Sequence, residues 1–471
     1  MHRLHGIEAG FVYLETATQK PMDAILVTLA PDDTGSRGGR PISLPELRDH
    51  VEARIHLLPS FRWKIRPVPF RLHHPVFVDD PAFNLDYHLR AVTLDPPGHP
   101  DQLNRLVAEH SVRTLDRRHP RWELTLVSGL AGGGQALIFN VHHAYNDGVA
   151  VNTTFNRLFN DDVESPAPEA PWRPETVTGW QLVKDALVDQ ARTWRGLPQL
   201  VRDTWRGMQA VKARRGSSPI LVPSSPAEKP ATVLNDSFTL DRIFARTSLE
   251  LSGFRMVRKA AGVTLNDVLM MVVSMSLQRY LDARGQLPAG SLSAGVMVST
   301  EPPDAPPRQS GNRFGNFVTT LATDVEDPWA RLQSISSVAA EARVRLEVIG
   351  LDIPVRWLDI IPPAMAIAIN RRGLAQQRKH PEVVRCSLIV SNMRGSDGQR
   401  LLGSKIDGMF ICGPVSDGGG LFVSAYSSGD RLDFTVLANP SALDAPDELA
   451  AGFHAALAEL VALASERASR V

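Results

Sequence analysis

Val141-His142-His143-Ala144-Tyr145-Asn146-Asp147-Gly148 is the stretch whose reading decides the rest of the chain. It continues Ala136-Leu137-Ile138-Phe139-Asn140, an apolar run of strand length, and ends in a turn signal at Asn146-Asp147-Gly148. A strand carried as far as the histidines points neighbouring side chains to opposite faces. His142 and His143 then do different jobs: one faces a cleft and the other is held in the body of the domain. The same geometry disfavours a metal site built on both, because neighbours on a strand do not easily converge on one ion. A His pair by itself is as readily a satisfied core or surface pair, and His73-His74, followed by Pro75, is assigned nothing.

Outward from this stretch, helices and strands alternate, which argues an α/β sandwich with helices on a mixed sheet. Ala24–Leu29 reads as a first strand, and Ser43 with Glu46 as a capping box for a helix running to about Leu58. Helical spacing returns over 101–111, strands at 124–127 and 136–141, with Gly132-Gly133-Gly134 turning between them. Pro, Ala and Glu dominate 165–174, a boundary signal. Trp180–Arg215 reads as one or two helices broken near Gly196-Leu197-Pro198, with Trp180, Trp194 and Trp205 set among arginines. A flexible stretch follows at Gly216–Pro219 and Ser224-Ser225-Pro226. Further on come helices over about 248–261, 266–281 and 329–348, strands over 294–299 and 387–392, a hairpin around Ser428-Gly429-Asp430, and a closing amphipathic helix through Leu449 and Leu460.

The 471 residues exceed what one hydrophobic core usually supports, so two domains are expected. Lys plus Arg equals Asp plus Glu at 51 each, so no global field favours nucleic acid. Two cysteines, Cys386 and Cys412, suggest a reducing compartment, although two can still pair. The first residues lack the apolar core of a signal peptide, and the longest apolar run noted, Ala364–Ile369, is far short of a bilayer span. A cytoplasmic protein, or one peripheral on the inner membrane face or on lipid droplets, is expected.

The pattern His-His-x-x-x-Asp-Gly resembles the signature of the acyl-CoA-dependent acyltransferases with the chloramphenicol-acetyltransferase-like fold, which also includes condensation domains. Its surroundings resemble the bacterial wax ester synthase/diacylglycerol acyltransferases: Leu115–Leu124 before the motif, Phe11–Thr16, Phe83–His88, Leu265–Val268, Gly311-Asn312-Arg313 and Ser391-Asn392. These matches run colinearly along the chain, and that order makes the resemblance specific. It departs from the usual pattern at Pro120-Arg121-Trp122, where Leu is usual in the middle, and at Met393-Arg394-Gly395-Ser396, where Val-Pro-Gly-Pro is usual. Both departures bear on acceptor preference.

The resemblance implies two chloramphenicol-acetyltransferase-like domains, each a mixed sheet with flanking helices, and an active-site tunnel between them. Residues 1–175 would form the first, 176–235 a helical and flexible linker, and 236–471 the second. It implies transfer of a fatty acyl group from acyl-CoA, as substrate and not cofactor, to diacylglycerol or a long-chain fatty alcohol. The family gives the second histidine, here His143, the role of general base, a task that suits a neutral imidazole near pH 7. No Gly-x-Ser-x-Gly elbow appears, which favours direct transfer over an acyl-enzyme. His142 reads as a structural hydrogen-bonding residue. Asp147 is either a second acid–base group or a buried structural group paired with an arginine. Gly148 sits where φ is positive or where something approaches the backbone closely. Ser391 and Asn392 either donate to an oxyanion or merely cap a turn. Asn266 and Asp267, in the first turn of a helix, read as packing support. No metal is called for. Two rivals remain: a relative acylating another hydroxyl or amine in the manner of condensation or polyketide-associated enzymes, and a lipid-binding protein without turnover. For Trp180–Arg215 the choice lies between lipid-surface contact and packing of the Trp side chains between domains.

Overall fold

The computed structural model describes residues 1–469 except 33, 36, 169, 224–229, 303 and 307. The Ser224-Ser225-Pro226 part of the expected flexible stretch therefore lies outside the described residues.

Two six-stranded sheets form the frame, each flanked by helices. The first has the order Arg400–Leu401, Ser404–Cys412, Met22–Leu29, Gln135–His142, Trp122–Ser128, Leu89–Thr93. The second runs Phe314–Thr320, Ser293–Ser299, Leu388–Arg394, Leu421–Ser428, Arg431–Ala438, Ile243–Glu250. Both are mixed: Leu89–Thr93 runs parallel to Trp122–Ser128, and Leu388–Arg394 runs parallel to both its neighbours. This is the two-sheet α/β architecture expected above.

The sheets are not divided by a single cut in the chain. Ser404–Cys412, from the second half of the sequence, pairs antiparallel with Met22–Leu29 and completes the first sheet. A boundary at 236 separates most of the helices but leaves this strand on the far side. Its Met409 and Ile411 belong to the core of the first half, while Phe410 and Cys412 join a smaller apolar cluster between the sheets.

The motif strand, Gln135–His142, is buried at all eight positions. Leu137, Phe139 and Val141 face the core of the first half; Ala136 and Ile138 face the inter-sheet cluster. Burial on both faces explains its largely apolar character, and Asn140, the polar exception within it, is satisfied by His110.

Three sequence expectations need correcting. The stretch 243–250 is a strand and the helix begins only at Leu251; pairing with Arg431–Ala438 along its whole length outweighs local helical preference. Residues 179–217 form one continuous helix, Gly179–Ser217, with Pro198 inside it. Packing holds it on both sides of the proline, at Leu182 and Ala186 and again at Leu200 and Gly207. Finally, Pro446–Ala468 is long and apolar enough by length and composition to cross a bilayer. Here it packs on Leu251–Ala261 and Leu265–Asp282, with Leu449, Phe453 and Leu460 fully buried.

Candidate active site

Register places the reactive histidine. Asp23 pairs opposite Val141 on the neighbouring strand. Residues two apart on a strand share a face, so His143, just past the strand end, lies diagonally across from Asp23. Its Nδ1 is 2.8 and 2.7 Å from the two Asp23 carboxylate oxygens. A proton on Nδ1 satisfies that contact and leaves Nε2 as the lone-pair nitrogen. No described residue hydrogen-bonds to Nε2, and it is not among the buried unpartnered atoms, so it opens onto accessible space. Phe11, from the helix Gly6–Leu14, meets the imidazole edge-on at 4.4 Å between ring centres, and Phe314, from the second sheet, stands 6.2 Å away. The imidazole thus sits at the junction of the two halves.

Burial disfavours the charged form of His143, but the Asp23 charge and hydrogen bond outweigh it, and the pKa lies above the ordinary histidine value. Burial likewise raises the Asp23 carboxyl, against the pull of His143. Asp23 is the site residue that sequence reading missed. The available signal was an acidic residue inside the otherwise apolar Met22–Leu29 strand.

His142 is wholly buried on the opposite face. Its Nδ1 accepts from the Ala144 N–H at 3.1 Å. Its Nε2 stands 4.0 Å from Glu15, a carboxylate that Arg121 and Arg117 each approach at 3.0 Å. Burial and the Arg121 charge push the His142 pKa well below its usual value, which keeps the ring neutral. Arg121, the departure from the usual Leu, therefore belongs to a buried ion-pair cluster behind the motif strand.

Asp147 makes no hydrogen bond to His143, although its charge adds to the rise in the His143 pKa. It caps the helix Gly148–Leu158, accepting from the Val149 and Ala150 N–H groups at 3.1 Å. From the second half, Arg308 Nη2 reaches both its oxygens at 2.7 Å and the Arg313 N–H donates at 2.7 Å. Arg308 is held in turn by Glu301 at 2.6 Å. The arginine partner foreseen for the turn is thus supplied across the junction.

Next to it, Asn312 Nδ2 donates to the His143 carbonyl at 2.9 Å, and the Asn312 N–H donates to Glu8 at 3.0 Å. Gly311 makes this possible, with φ of +87° and only 2.7 Å between a would-be Cβ and the Glu8 carboxylate. Gly148 has an ordinary backbone; of the two readings, close approach is the one found, since a Cβ there would lie 2.6 Å from Met393 Sδ and the flexible Met393 side chain would have to move.

Met393 lies on the strand Leu388–Arg394 of the second sheet. Alternation puts Ser391 on the face of Met393, turned toward the first half, and Asn392 on the opposite face with Val390, which belongs to the second-half core. The two candidate oxyanion donors are therefore separated. Asn266 and Asp267 are elsewhere: Asp267 closes a capping box with Thr264 and accepts from Ser336 at 2.9 Å, deep in the second half.

An imidazole held by a buried carboxylate thus stands at the junction of two mixed sheets, with the HHxxxDG turn locked from across that junction. Comparison with known proteins identifies the family. Residues 4–269 match the wax ester synthase/diacylglycerol acyltransferase catalytic domain, and residues 310–461 match the WS/DGAT C-terminal domain. The chain belongs to this family. It is 31% identical, over 100% of its length and 99% of the relative's, to a Mycobacterium tuberculosis protein provisionally named a diacylglycerol O-acyltransferase. A second so named in that organism is 30% identical over 98% of this chain and 96% of its own. Among solved structures, the wax ester synthase/diacylglycerol acyltransferase of Marinobacter aquaeolei VT8 shares the fold at a TM-score of 0.65 and 23% identity, over 98% of this chain and 100% of its own. The first condensation domain of a calcium-dependent antibiotic synthetase shares it at 0.60 and 13% identity, over 99% of this chain and 97% of that one.

Proposed function

We propose that this protein transfers a long-chain acyl group from acyl-CoA to the hydroxyl of diacylglycerol or of a long-chain fatty alcohol, giving triacylglycerol or wax ester and free CoA. The observation that carries the reading is the orientation of His143: Nδ1 is tied to buried Asp23, and Nε2 is free at the junction of the halves.

In this mechanism the alcohol gives its proton to Nε2 as its oxygen forms a bond to the thioester carbonyl carbon. Asp23 stabilises the imidazolium that results. The carbonyl oxygen becomes an oxyanion in need of donors. Ser391, on the strand face turned to the first half, is the donor we assign; Asn392 lies on the wrong face. Collapse of the intermediate breaks the C–S bond, and the imidazolium returns its proton to the departing thiolate. His142 and Asp147 touch no reacting atom here: the first packs behind the strand and the second fixes the turn. The reaction runs in the cytoplasm or at the face of a membrane or lipid body that holds the acceptor.

Purified protein with labelled acyl-CoA and a panel of acceptors tests the reading. Release of CoA with formation of a neutral ester is the expected result. His143→Ala should lose about 10²–10⁴-fold in turnover with its melting temperature kept, the usual loss for a general base. Transfer to amines only, or CoA release with no dependence on His143, overturns the proposal.

A further inference from the structure

The helix Gly179–Ser217 carries apolar residues on two faces. One is spent on the body of the protein: Leu182, Ala186 and Leu200 are buried there. On that same side the helix's three acidic residues find partners, Asp185 and Asp189 with Arg3 and Asp203 with Arg356.

The other face looks into solvent. Trp180, Trp194 and Trp205 are 77, 58 and 63% exposed, and Leu187, Val201 and Met208 are exposed with them. Positions 180, 187, 194, 201 and 208 recur every seven residues, which keeps them on one slowly drifting stripe. At a rise of 1.5 Å per residue the helix spans about 58 Å. The expectation that these tryptophans pack between the domains is therefore not met.

The stripe continues onto neighbouring elements. At the helix start, the turn Pro69–Arg71 packs beside Gly179 and holds Phe70 out, 89% exposed, at a φ of +57°. A bulky side chain seldom adopts that conformation. Midway along, Trp194 shares a small cleft with Ile361 and Pro363, and the helix that begins there exposes Met365 and Ile369.

Charge is segregated along the stripe. Lys184, Arg195, Arg202 and Arg206 edge it, all exposed and with no ion pair among the described residues. No acid of the helix lies on this side.

We propose that this face is a docking surface for an anionic lipid surface. Tryptophan suits the zone between headgroup and chain, and arginine keeps its guanidinium at the headgroups while its stem lies along apolar surface. A second copy of the chain fits poorly, because an isologous contact would set the arginine row against itself with no acid of this helix on that side to answer it. A nucleic acid would engage the arginines but leave the Leu, Val and Met stripe in water. The inference does not rest on the identity of the acyl acceptor.

The test is flotation of the full-length protein with phosphatidylcholine vesicles, with and without phosphatidylglycerol, at low and high salt. Binding to the phosphatidylglycerol vesicles that weakens with salt is expected. The triple variant Arg195→Gln, Arg202→Gln, Arg206→Gln should lose on the order of a hundredfold in affinity for those vesicles and most of the salt dependence. Trp180→Ser, Trp194→Ser, Trp205→Ser should lose binding to both vesicle types. Both variants should keep their melting temperature and their turnover of a detergent-dispersed acceptor. Unchanged vesicle binding in either variant overturns the proposal, and so does a wild-type dimer that the tryptophan variant converts to monomer. Flotation is read without turnover, so an inactive protein that still binds vesicles would count against the acyl-transfer reading alone.

Discussion

Asp23 and His143 form the pair on which the chemistry turns, and its protonation sets the working pH. The His143 pKa is raised by the Asp23 carboxylate. A general base must be neutral, so the acid limb of kcat/KM should fall above the ordinary histidine value of about 6.5. Asp23→Asn removes the main raising influence and leaves burial, the largest cause and a lowering one, against only the weaker Asp147 charge. The acid limb should therefore move to lower pH while kcat drops, because the amide no longer stabilises the imidazolium. A pH–rate profile of the variant checks this; an unmoved acid limb at unchanged kcat would remove Asp23 from the mechanism. Arg121 and His142 are different in kind, since they are buried behind the strand and touch no accessible space.

Among elements, the contact that matters most is between the turn 143–148 and the segment 308–313. Asp147 serves as N-cap to one helix and as ion-pair partner to Arg308. Both side chains are largely buried, and leaving either charge alone there is costly. Asp147→Asn keeps the cap but loses the pair, and should lower stability by about 3 kcal/mol. Arg308→Met should do the same, and the double variant should lose less than the sum, with a coupling of about 1–3 kcal/mol. Chemical denaturation of the four proteins measures this. Strict additivity would mean the pair does not couple the halves. A normal melting temperature with an altered pH–rate profile in Asp147→Asn would make it an acid–base residue after all.

Across the whole molecule, the halves exchange structure as well as contacts. Among the described residues, Ser404–Cys412 is the partner of Met22–Leu29 on that side of the first sheet. A fragment of residues 1–215 would expose that edge together with Ile25, Val27 and Leu29, which are buried in the full chain. Such a fragment should be insoluble or molten, and it should show no transfer even where it stays in solution. It lacks Arg308, Asn312 and Ser391 as well as the strand. A folded 1–215 fragment that releases CoA would contradict this arrangement.

Local pattern was enough to read the motif strand, the His143 turn, the capped helix at Ser43, and the hairpin around Gly429. Each is fixed by residues near in sequence: an apolar period, a cap, a Gly-Asp turn. The two-sheet architecture was readable through the family resemblance, carried by motifs spread from Phe11 to Asn392. What the tertiary structure alone decided depends on pairs distant along the chain. Asp23 meets His143 from 120 residues away because two strands share a register, and Arg308 meets Asp147 from 161 residues away. Pro198 lies within an unbroken helix, and the tryptophans of that helix face outward, because other elements claimed its opposite side. Long-range packing chooses which of two apolar faces is buried, and a local pattern has no means of expressing that choice.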